Sequence, residues 1–180
     1  MTAALGCSAG LVLPLRNAAA QHAAPTWTRD ENDPRWVQGS VVVAAAPAAV
    51  WRRLARVPEW PRLFTDVKSL RIIESRADYW RLKVESRTFD YGAYEYQAKF
   101  EPAARTARGW FGGAGVSAVC HMRVLDRPDP ATSRVTCSLF IDARGIAAWI
   151  IGKDEIRRKQ EHMVTQYLAD FQRAFARAPA

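Results

Sequence analysis

Hydrophobic and polar residues alternate with a period of two through the middle of the chain, over residues 66–142. Trp80, Leu82 and Val84, for example, are separated from one another by basic residues. Turn-forming residues interrupt the alternation at intervals, as at residues 112–115. Such alternation, with no helical segment between the breaks, is typical of antiparallel strands with one buried face and one solvated face. The pattern therefore predicts six strands that follow one another as hairpins.

The segments on either side of this region have different patterns. The β-branched run at residues 41–43 predicts a further strand, and Pro47 begins a helical pattern because proline is tolerated in the first helical turn. A second short helix or turn is predicted at residues 58–64. From residue 148 to about residue 176, hydrophobic residues recur on one face of a long helix. We therefore predict an α+β fold: a seven-stranded, curved antiparallel sheet wrapped around a long C-terminal helix, with two short helices after the first strand.

The N-terminal residues differ from the rest of the chain. Residues 2–15 are almost all small or apolar, and the first charged residue is Arg16. Ala18 and Ala20 provide small residues at the positions that precede a cleavage site, so residues 1–20 are expected to be a signal peptide with a truncated start. This interpretation implies a periplasmic or secreted protein. The alternative is an unstructured, alanine-rich tail on a cytoplasmic protein.

A polar segment with two prolines, residues 21–35, follows and is typical of an arm or linker. The folded domain is then expected to span residues 36–178. The chain has no run of 18 or more uncharged apolar residues, so the sequence predicts no membrane-spanning helix.

The net charge of +8 raises the question of an anionic partner. The densest basic run, residues 157–159, lies among Asp154, Glu155 and Glu161. Scattered basic residues of this kind are more typical of a solvated surface than of a nucleic-acid interface. No nucleic-acid partner is expected.

Three segments, in their order along the chain, resemble the START-related superfamily. They are residues 41–54, where a strand leads into a helix begun by proline, residues 59–67 and residues 142–151. The superfamily includes polyketide cyclases and dehydratases and the lipid-transfer START domains, together called SRPBCC proteins. Its members commonly have a proline at the position of Ala147 or Ala148, which is absent here. The resemblance implies the helix-grip fold and an internal cavity for an apolar molecule or lipid.

A curved sheet closed by one helix leaves a cavity, and cavities lined by aromatic and aliphatic side chains bind apolar ligands. The alternation within the strands and the stripe of the helix give the candidates for this lining. Tyr94 and Tyr96 are the strongest of them because a buried hydroxyl needs a hydrogen-bond partner. Arg108 is either an inward counter-ion for a ligand carboxylate or phosphate, or is turned outward by a bulge. The candidate ligand-binding residues are Trp80, Leu82, Tyr94, Tyr96, Phe100, Arg108, Trp110, Met122, Leu139 and Tyr167.

The sequence offers little for catalysis. The three histidines, His22, His121 and His162, have no zinc-binding spacing, and no acid–base pair is apparent. No catalytic residue, metal or cofactor is therefore assigned. Cys120 and Cys137 lie at equal distances from a predicted turn and are expected to face each other, either as a disulfide or as two buried thiols.

The predicted function is to bind a hydrophobic small molecule or lipid in the internal cavity, with transport of the bound molecule as an extension of that function. The protein is predicted to be a non-catalytic monomer. One alternative is a polyketide cyclase or aromatase-type enzyme. A second is a membrane-surface or protein-interaction module, suggested by the net charge of +8 and by the apolar residues 149–151. Transient contact with a membrane surface is compatible with the first of these functions.

Overall fold

The computed structural model describes residues 25–29, 33, 35–88, 92–113, 115–144 and 152–176. Within these residues one antiparallel sheet of eight strands has the order β1-β2-β8-β7-β6-β5-β4-β3. The strands are β1 (Thr26–Arg29), β2 (Trp36–Val43), β3 (Val67–Ser75), β4 (Tyr79–Ser86), β5 (Ala93–Glu101), β6 (Thr106–Gly113), β7 (Val116–Leu125) and β8 (Ser133–Ala143). The α-helices are α1 (Pro47–Ala55), α2 (Trp60–Leu63) and α3 (Lys153–Ala174), and a 3₁₀ turn (Val57–Glu59) precedes α2.

The seven predicted strands correspond to β2–β8, and β3–β8 form the expected meander. The eighth strand, β1, lies in the segment for which the sequence predicts only a polar arm. It pairs with β2, from Thr26 opposite Ser40 to Arg29 opposite Val37. Threonine and tryptophan favour strands, but a strand of four residues is too short to give an alternating signal.

The two short helices close one end of the sheet. Pro47 begins α1 and is itself buried, together with Val50 and Leu54 at helical spacing. The indole N–H of Trp60 donates a hydrogen bond to the carbonyl of Leu54 over 2.8 Å. This bond joins α2 to the end of α1 and directs the Trp60 ring to the inner side of the sheet.

Helix α3 lies across the inner face of the sheet, mainly against β2 and β8. Its 22 residues correspond to a length of about 33 Å. Met163, Val164, Leu168 and Phe171 form the predicted apolar stripe and are at most 1% exposed. The predicted start of the helix at Ala148 lies outside the described residues. None of the described helices is long and apolar enough to cross a membrane.

Two buried polar side chains attach α3 to the sheet. The side-chain amide of Gln160 donates to the carbonyls of Arg35 and Leu139, over 2.9 and 3.2 Å. Asp170 accepts hydrogen bonds from the amide and the hydroxyl of Thr65, over 2.8 and 3.0 Å. Since each side chain bonds to a different part of the domain, the helix is attached at two points, one in its first half and one near its C-terminal end.

Candidate ligand cavity

A cavity lies between the inner face of the sheet, the α1–α2 region and helix α3. Its wall combines aliphatic side chains with a group of aromatic side chains and three residues, two alanines and a glycine, without a bulky side chain. The lining residues are Leu54, Trp60, Phe64, Val67, Val84, Tyr94, Tyr96, Ala98, Ala107, Arg108, Gly109, Phe111, Cys120, Met122 and Tyr167.

The cavity is small. Its volume is about 40 Å³ when only the space open to the centre of a water molecule is counted, and about 610 Å³ when all the space between the lining atoms and in the open mouth is counted. By the first measure a single water needs roughly 10–15 Å³, so the cavity as it stands holds about three waters. A larger ligand therefore requires some of the lining side chains to move.

Strands β4, β5, β7 and β8 present the predicted parity to the interior. Tyr94, Tyr96, Met122 and Tyr167 line the cavity as expected from their positions. Three other candidates, Leu82, Phe100 and Leu139, lie in the packed core and are at most 5% exposed. Trp80 is partly buried against that core. Whether any of these residues contacts a ligand stays a prediction.

The predicted inward orientation is wrong for β6. Gly109 pairs with the inward-facing Ala98, so Ala107, Gly109 and Phe111 face the interior and the intervening residues face outward. The cause is composition, because Ala107 and Gly109 give no hydrophobic signal while Trp110 gives a strong one for the opposite parity.

Trp110 therefore lies on the outer face of the sheet. The Arg108 side chain is exposed and its guanidinium lies 5.9 Å from the centre of the Trp110 ring. Arg108 is among the cavity-lining residues, and its neighbours Ala107 and Gly109 also line the wall. Of the two orientations left open by the sequence, the outward one is correct, and no bulge is needed to produce it.

Three aromatic rings from separate elements form one wall. Tyr96 contacts Trp60 edge to face, with 5.7 Å between ring centres, and stacks on Phe111 at 5.9 Å. Trp60 also contacts Phe64 edge to face at 5.8 Å. Trp60, Phe64 and Phe111 were not predicted as lining residues, since α2 and the parity of β6 were not fixed by the sequence pattern.

Tyr96 occupies its place because residue 109 is glycine. A Cβ atom added at Gly109 would lie 1.8 Å from the Tyr96 hydroxyl oxygen and 2.4 Å from the ring carbon that bears it. The Tyr96 ring thus lies directly on the backbone of β6, in space that any other residue at position 109 would fill. This contact narrows the cavity.

A buried carboxylate lies behind the tyrosines. Asp66 is 2% exposed and accepts hydrogen bonds from the Ser86 hydroxyl over 2.7 Å and from the Thr88 amide over 2.8 Å. The Tyr167 hydroxyl lies 3.5 Å from the carboxylate and donates to it weakly. Asp66 was not predicted, because an aspartate in a turn is ordinary and its partners are at least 20 residues away in the sequence.

This environment keeps the cavity tyrosines in their neutral form. Burial raises the pKa of Tyr94, and the nearby charge of Asp66 raises it further. Burial likewise raises the pKa of Tyr167, with Asp66 as the second cause, and burial raises the pKa of Tyr96. The wall therefore presents phenol hydroxyls that donate hydrogen bonds.

The two cysteines are neighbours but are not directly opposed. Cys120 pairs with Leu139, and Cys137 pairs with Met122, one position along on the same face. Their sulfur atoms are 3.9 Å apart and both thiols are free and buried, whereas a disulfide needs about 2.05 Å. The hydrogen-bonding contact with Cys120, together with burial, raises the pKa of the Cys137 thiol. The described residues contain no group of three or more His, Cys, Asp or Glu side chains that could hold a metal ion.

Comparison with known proteins gives matches only at the level of structure. No protein-family model and no curated protein matches the sequence. An aromatase/cyclase from Streptomyces is similar with a TM-score of 0.65 and 19% identity, over 77% of this chain and 92% of that chain. A START superfamily protein from Mycobacterium smegmatis gives 0.63 and 10%, over 78% and 96%. A di-domain ARO/CYC protein gives 0.61 and 20%, over 77% of this chain and 45% of its own.

These similarities extend over 77–78% of the chain. At such low identity they establish the architecture and leave the ligand open. The chain has the helix-grip fold of the START-related proteins.

Proposed function

We propose that this protein binds a hydrophobic small molecule or lipid in its internal cavity and carries it without chemical change. The observation that carries the proposal is the cavity itself, which is lined by aliphatic and aromatic side chains and connects to solvent. Concave, largely apolar sites with a few polar groups are where small ligands bind. The fold similarity to START and aromatase/cyclase proteins supports the same function.

The aromatic wall is the part of the cavity that has to adapt to a ligand. Tyr96 lies between Trp60 and Phe111 and fills space over Gly109. Rotation of this ring away from β6 enlarges the cavity without disturbing the backbone. A flat, aromatic or fused-ring molecule can then stack in its place, because ring pairs gain about 0.5–1.5 kcal/mol beyond area burial.

Organic extraction followed by mass spectrometry of the purified protein tests this function. A stoichiometric apolar molecule that survives gentle purification, and is absent from a denatured control, is the expected result. A clean unliganded mass in preparations from several expression hosts contradicts the proposal.

A second candidate function is that of an aromatase or cyclase. It is favoured by the described activity of two of the similar structures and by the three tyrosine hydroxyls in the cavity wall. The described lining contains no histidine, lysine or carboxylate side chain, so proton transfer would rest on phenols of raised pKa. Incubation with a synthetic poly-β-ketone, followed by absorbance of aromatic products, tests this candidate. Product formation that is lost in Tyr167→Phe supports catalysis, and no product above the buffer rate removes it.

We also propose that the protein acts in the periplasm or outside the cell, after removal of residues 1–20. The apolar segment and the small residues Ala18 and Ala20 support this. N-terminal sequencing of the mature protein from a secreting bacterial host is the test. A chain that begins at Gln21 is expected, and an intact Met1 in the cytoplasmic fraction contradicts it.

Transient contact with an anionic membrane surface is a further part of the proposal. It is supported by the net charge of +8, which attracts a protein to anionic lipid. Co-sedimentation with vesicles of anionic and zwitterionic lipid at two salt concentrations tests it. Binding should require anionic lipid and weaken with salt, and binding that responds to neither contradicts the contact.

A further inference from the structure

Two tyrosine hydroxyls in the cavity wall have no partner in the part of the chain that the structure describes. Tyr94 and Tyr96 lie two residues apart on the same face of β5, and their rings contact Phe111 at 5.2 and 5.9 Å between centres. No described residue accepts a hydrogen bond from either hydroxyl. Both tyrosines are partly buried and line a cavity that opens to solvent, so a ligand that displaces the solvent leaves the two donors unpaired unless it brings an acceptor. This wall therefore favours a ligand that carries an acceptor.

The same wall carries a negative field. The Asp66 carboxylate is held by the Ser86 hydroxyl and the Thr88 amide behind the cavity, and the Tyr167 hydroxyl lies between it and the cavity. The carboxylate raises the pKa of Tyr94 and Tyr167, after the larger effect of burial. A second negative charge placed in the cavity is repelled by the same carboxylate.

The nearby cations do not offset this charge within the cavity. Arg108 is directed outward over Trp110. Arg87, which is not a lining residue, donates to the carbonyls of Thr65 and Val67. Lys159 donates to the carbonyl of Thr88 and lies 3.7 Å from a carboxylate oxygen of Glu155. None of the described lining residues directs a lysine, arginine or histidine side chain into the cavity.

We propose that the cavity selects an uncharged, oxygen-bearing hydrophobe, such as a ketone or ether on an aromatic or fused-ring framework, and rejects the corresponding carboxylate. Tyr94 and Tyr96 donate hydrogen bonds to the ligand oxygen, and Asp66 sets the selectivity against anions. This inference rests on the proposed ligand-binding function and narrows its ligand class. It excludes free fatty acids and other carboxylates as tight ligands, in contrast to the counter-ion role first considered for Arg108.

Three naphthalene derivatives of similar shape test the selectivity by calorimetric titration of the full chain at pH 7. Acetylnaphthalene carries a neutral acceptor, naphthoate an anion of nearly the same size, and ethylnaphthalene no polar atom. We expect acetylnaphthalene to bind about tenfold or more tightly than naphthoate, because the anion loses its water and meets a like charge. We expect it to bind roughly three- to tenfold more tightly than ethylnaphthalene, the usual net effect of one or two hydrogen bonds.

Single substitutions test which residues donate the hydrogen bonds to the ligand and which residue lowers the affinity for anions. Tyr94→Phe and Tyr96→Phe should reduce acetylnaphthalene affinity toward that of ethylnaphthalene and leave ethylnaphthalene unchanged. Tyr79→Phe is the matched control, because the Tyr79 hydroxyl bonds to Gln97 on the exposed face. Asp66→Asn should raise naphthoate affinity about fivefold or more and barely change acetylnaphthalene affinity. Asp126→Asn, at an exposed ion pair with Arg105, is its control.

The outcomes separate this inference from the function on which it rests. Naphthoate binding as tight as acetylnaphthalene binding overturns the inference and leaves the ligand-binding function in place. Failure of all three compounds to bind contradicts that function and the inference with it. If Asp66→Asn does not fold, the comparison of the three compounds on the unmodified protein and on the tyrosine variants still decides the question.

Discussion

At the scale of single residues, the narrowness of the cavity depends on one glycine. The Gly109 backbone does not require left-handed angles, so its role is steric rather than conformational. The absence of a side chain allows the Tyr96 ring to lie against β6, where it also contacts Trp60. The position of the tyrosine is therefore set by its neighbour on the next strand.

Gly109→Ala should destabilise the protein by about 1–3 kcal/mol, the usual cost of overpacking a closed core. The new Cβ would meet the Tyr96 hydroxyl and ring carbon at 1.8 and 2.4 Å, so the whole ring has to move. In a Tyr96→Ala background the same substitution should cost much less, because the obstructing ring is absent. Urea denaturation of the four proteins in this double-mutant cycle measures the coupling. Equal costs in both backgrounds would show that the contact is unimportant.

The buried tyrosines also predict a loss of stability at high pH. Burial raises the pKa of Tyr94 and Tyr167 above the ordinary value of 10.0, with the charge of Asp66 as the second cause. The neutral phenol is thus favoured in the folded state, so the stabilisation is complete below pH 10.0 and is lost as the pH rises above it. The urea midpoint of unfolding should be lower above pH 10 than at pH 8, and this decrease should be smaller in Tyr94→Phe. Tyr79→Phe should keep the unmodified pH dependence, and a midpoint independent of pH contradicts the prediction.

The site could be predicted from the sequence only in part. Parity along a strand identified Tyr94, Tyr96 and Met122 because bulky residues alternate there with charged ones. The same rule failed for Trp110, since two of the three inward residues of β6 are alanine or glycine. Asp66 could not be predicted as a buried residue of the site. Its burial depends on partners from β4 and the following turn, and the local sequence pattern contains no information about such contacts.

At the scale of elements, the hydrophobic pattern predicts which face of the sheet a side chain lies on. The pairing register between strands, which decides the residues that lie opposite each other, has to come from the structure. The sequence suggests a symmetric hairpin in which Cys120 pairs with Cys137. In the structure the register differs by two residues, and Cys120 pairs with Leu139. A shift of two residues keeps both side chains on the inner face, so the face was correct and the pairing was not. Period-two patterning predicted the six strands β3–β8 in the right order for the same reason, because the alternation fixes the face of each side chain and the breaks fix the turns. It cannot give a four-residue edge strand such as β1.

Helix α3 depends on Asp170 for its attachment near the C-terminal end. This carboxylate is 1% exposed, accepts two hydrogen bonds from Thr65 and pairs with Arg173. Asp170→Ala leaves the Thr65 amide without its acceptor and should cost about 1–3 kcal/mol in the free energy of unfolding. Hydrogen exchange at the Thr65 amide should accelerate in parallel.

Asp126→Ala is the matched control for this prediction. Asp126 also pairs with an arginine, Arg105, but its side chain is 73% exposed. Exposed ion pairs contribute about 0–1 kcal/mol, so the control should change stability little. Similar losses in the two variants would mean that the bonds of Asp170 to Thr65 do not matter.

At the scale of the whole molecule, the described domain has one continuous core. Buried residues from α1, α2, α3 and the sheet belong to a single hydrophobic cluster. The cavity lies inside that cluster, between elements that are far apart in the sequence. Its lining therefore exists only when the complete sheet and α3 are in place, and ligand binding and global folding are coupled.

The thiols at the centre of this core report on that coupling. The contact with Cys120 and burial raise the pKa of Cys137, and only a thiolate reacts readily with a disulfide reagent. In a Cys7→Ser background, which removes the cysteine outside the described residues, labelling of both thiols should require global unfolding. The labelling rate should then rise with urea as steeply as the unfolding equilibrium does, and acetylnaphthalene at 100 times its Kd should slow labelling about 100-fold. Fast labelling of Cys120 that does not depend on urea would instead mean that solvent and reagent reach it through the open mouth of the cavity.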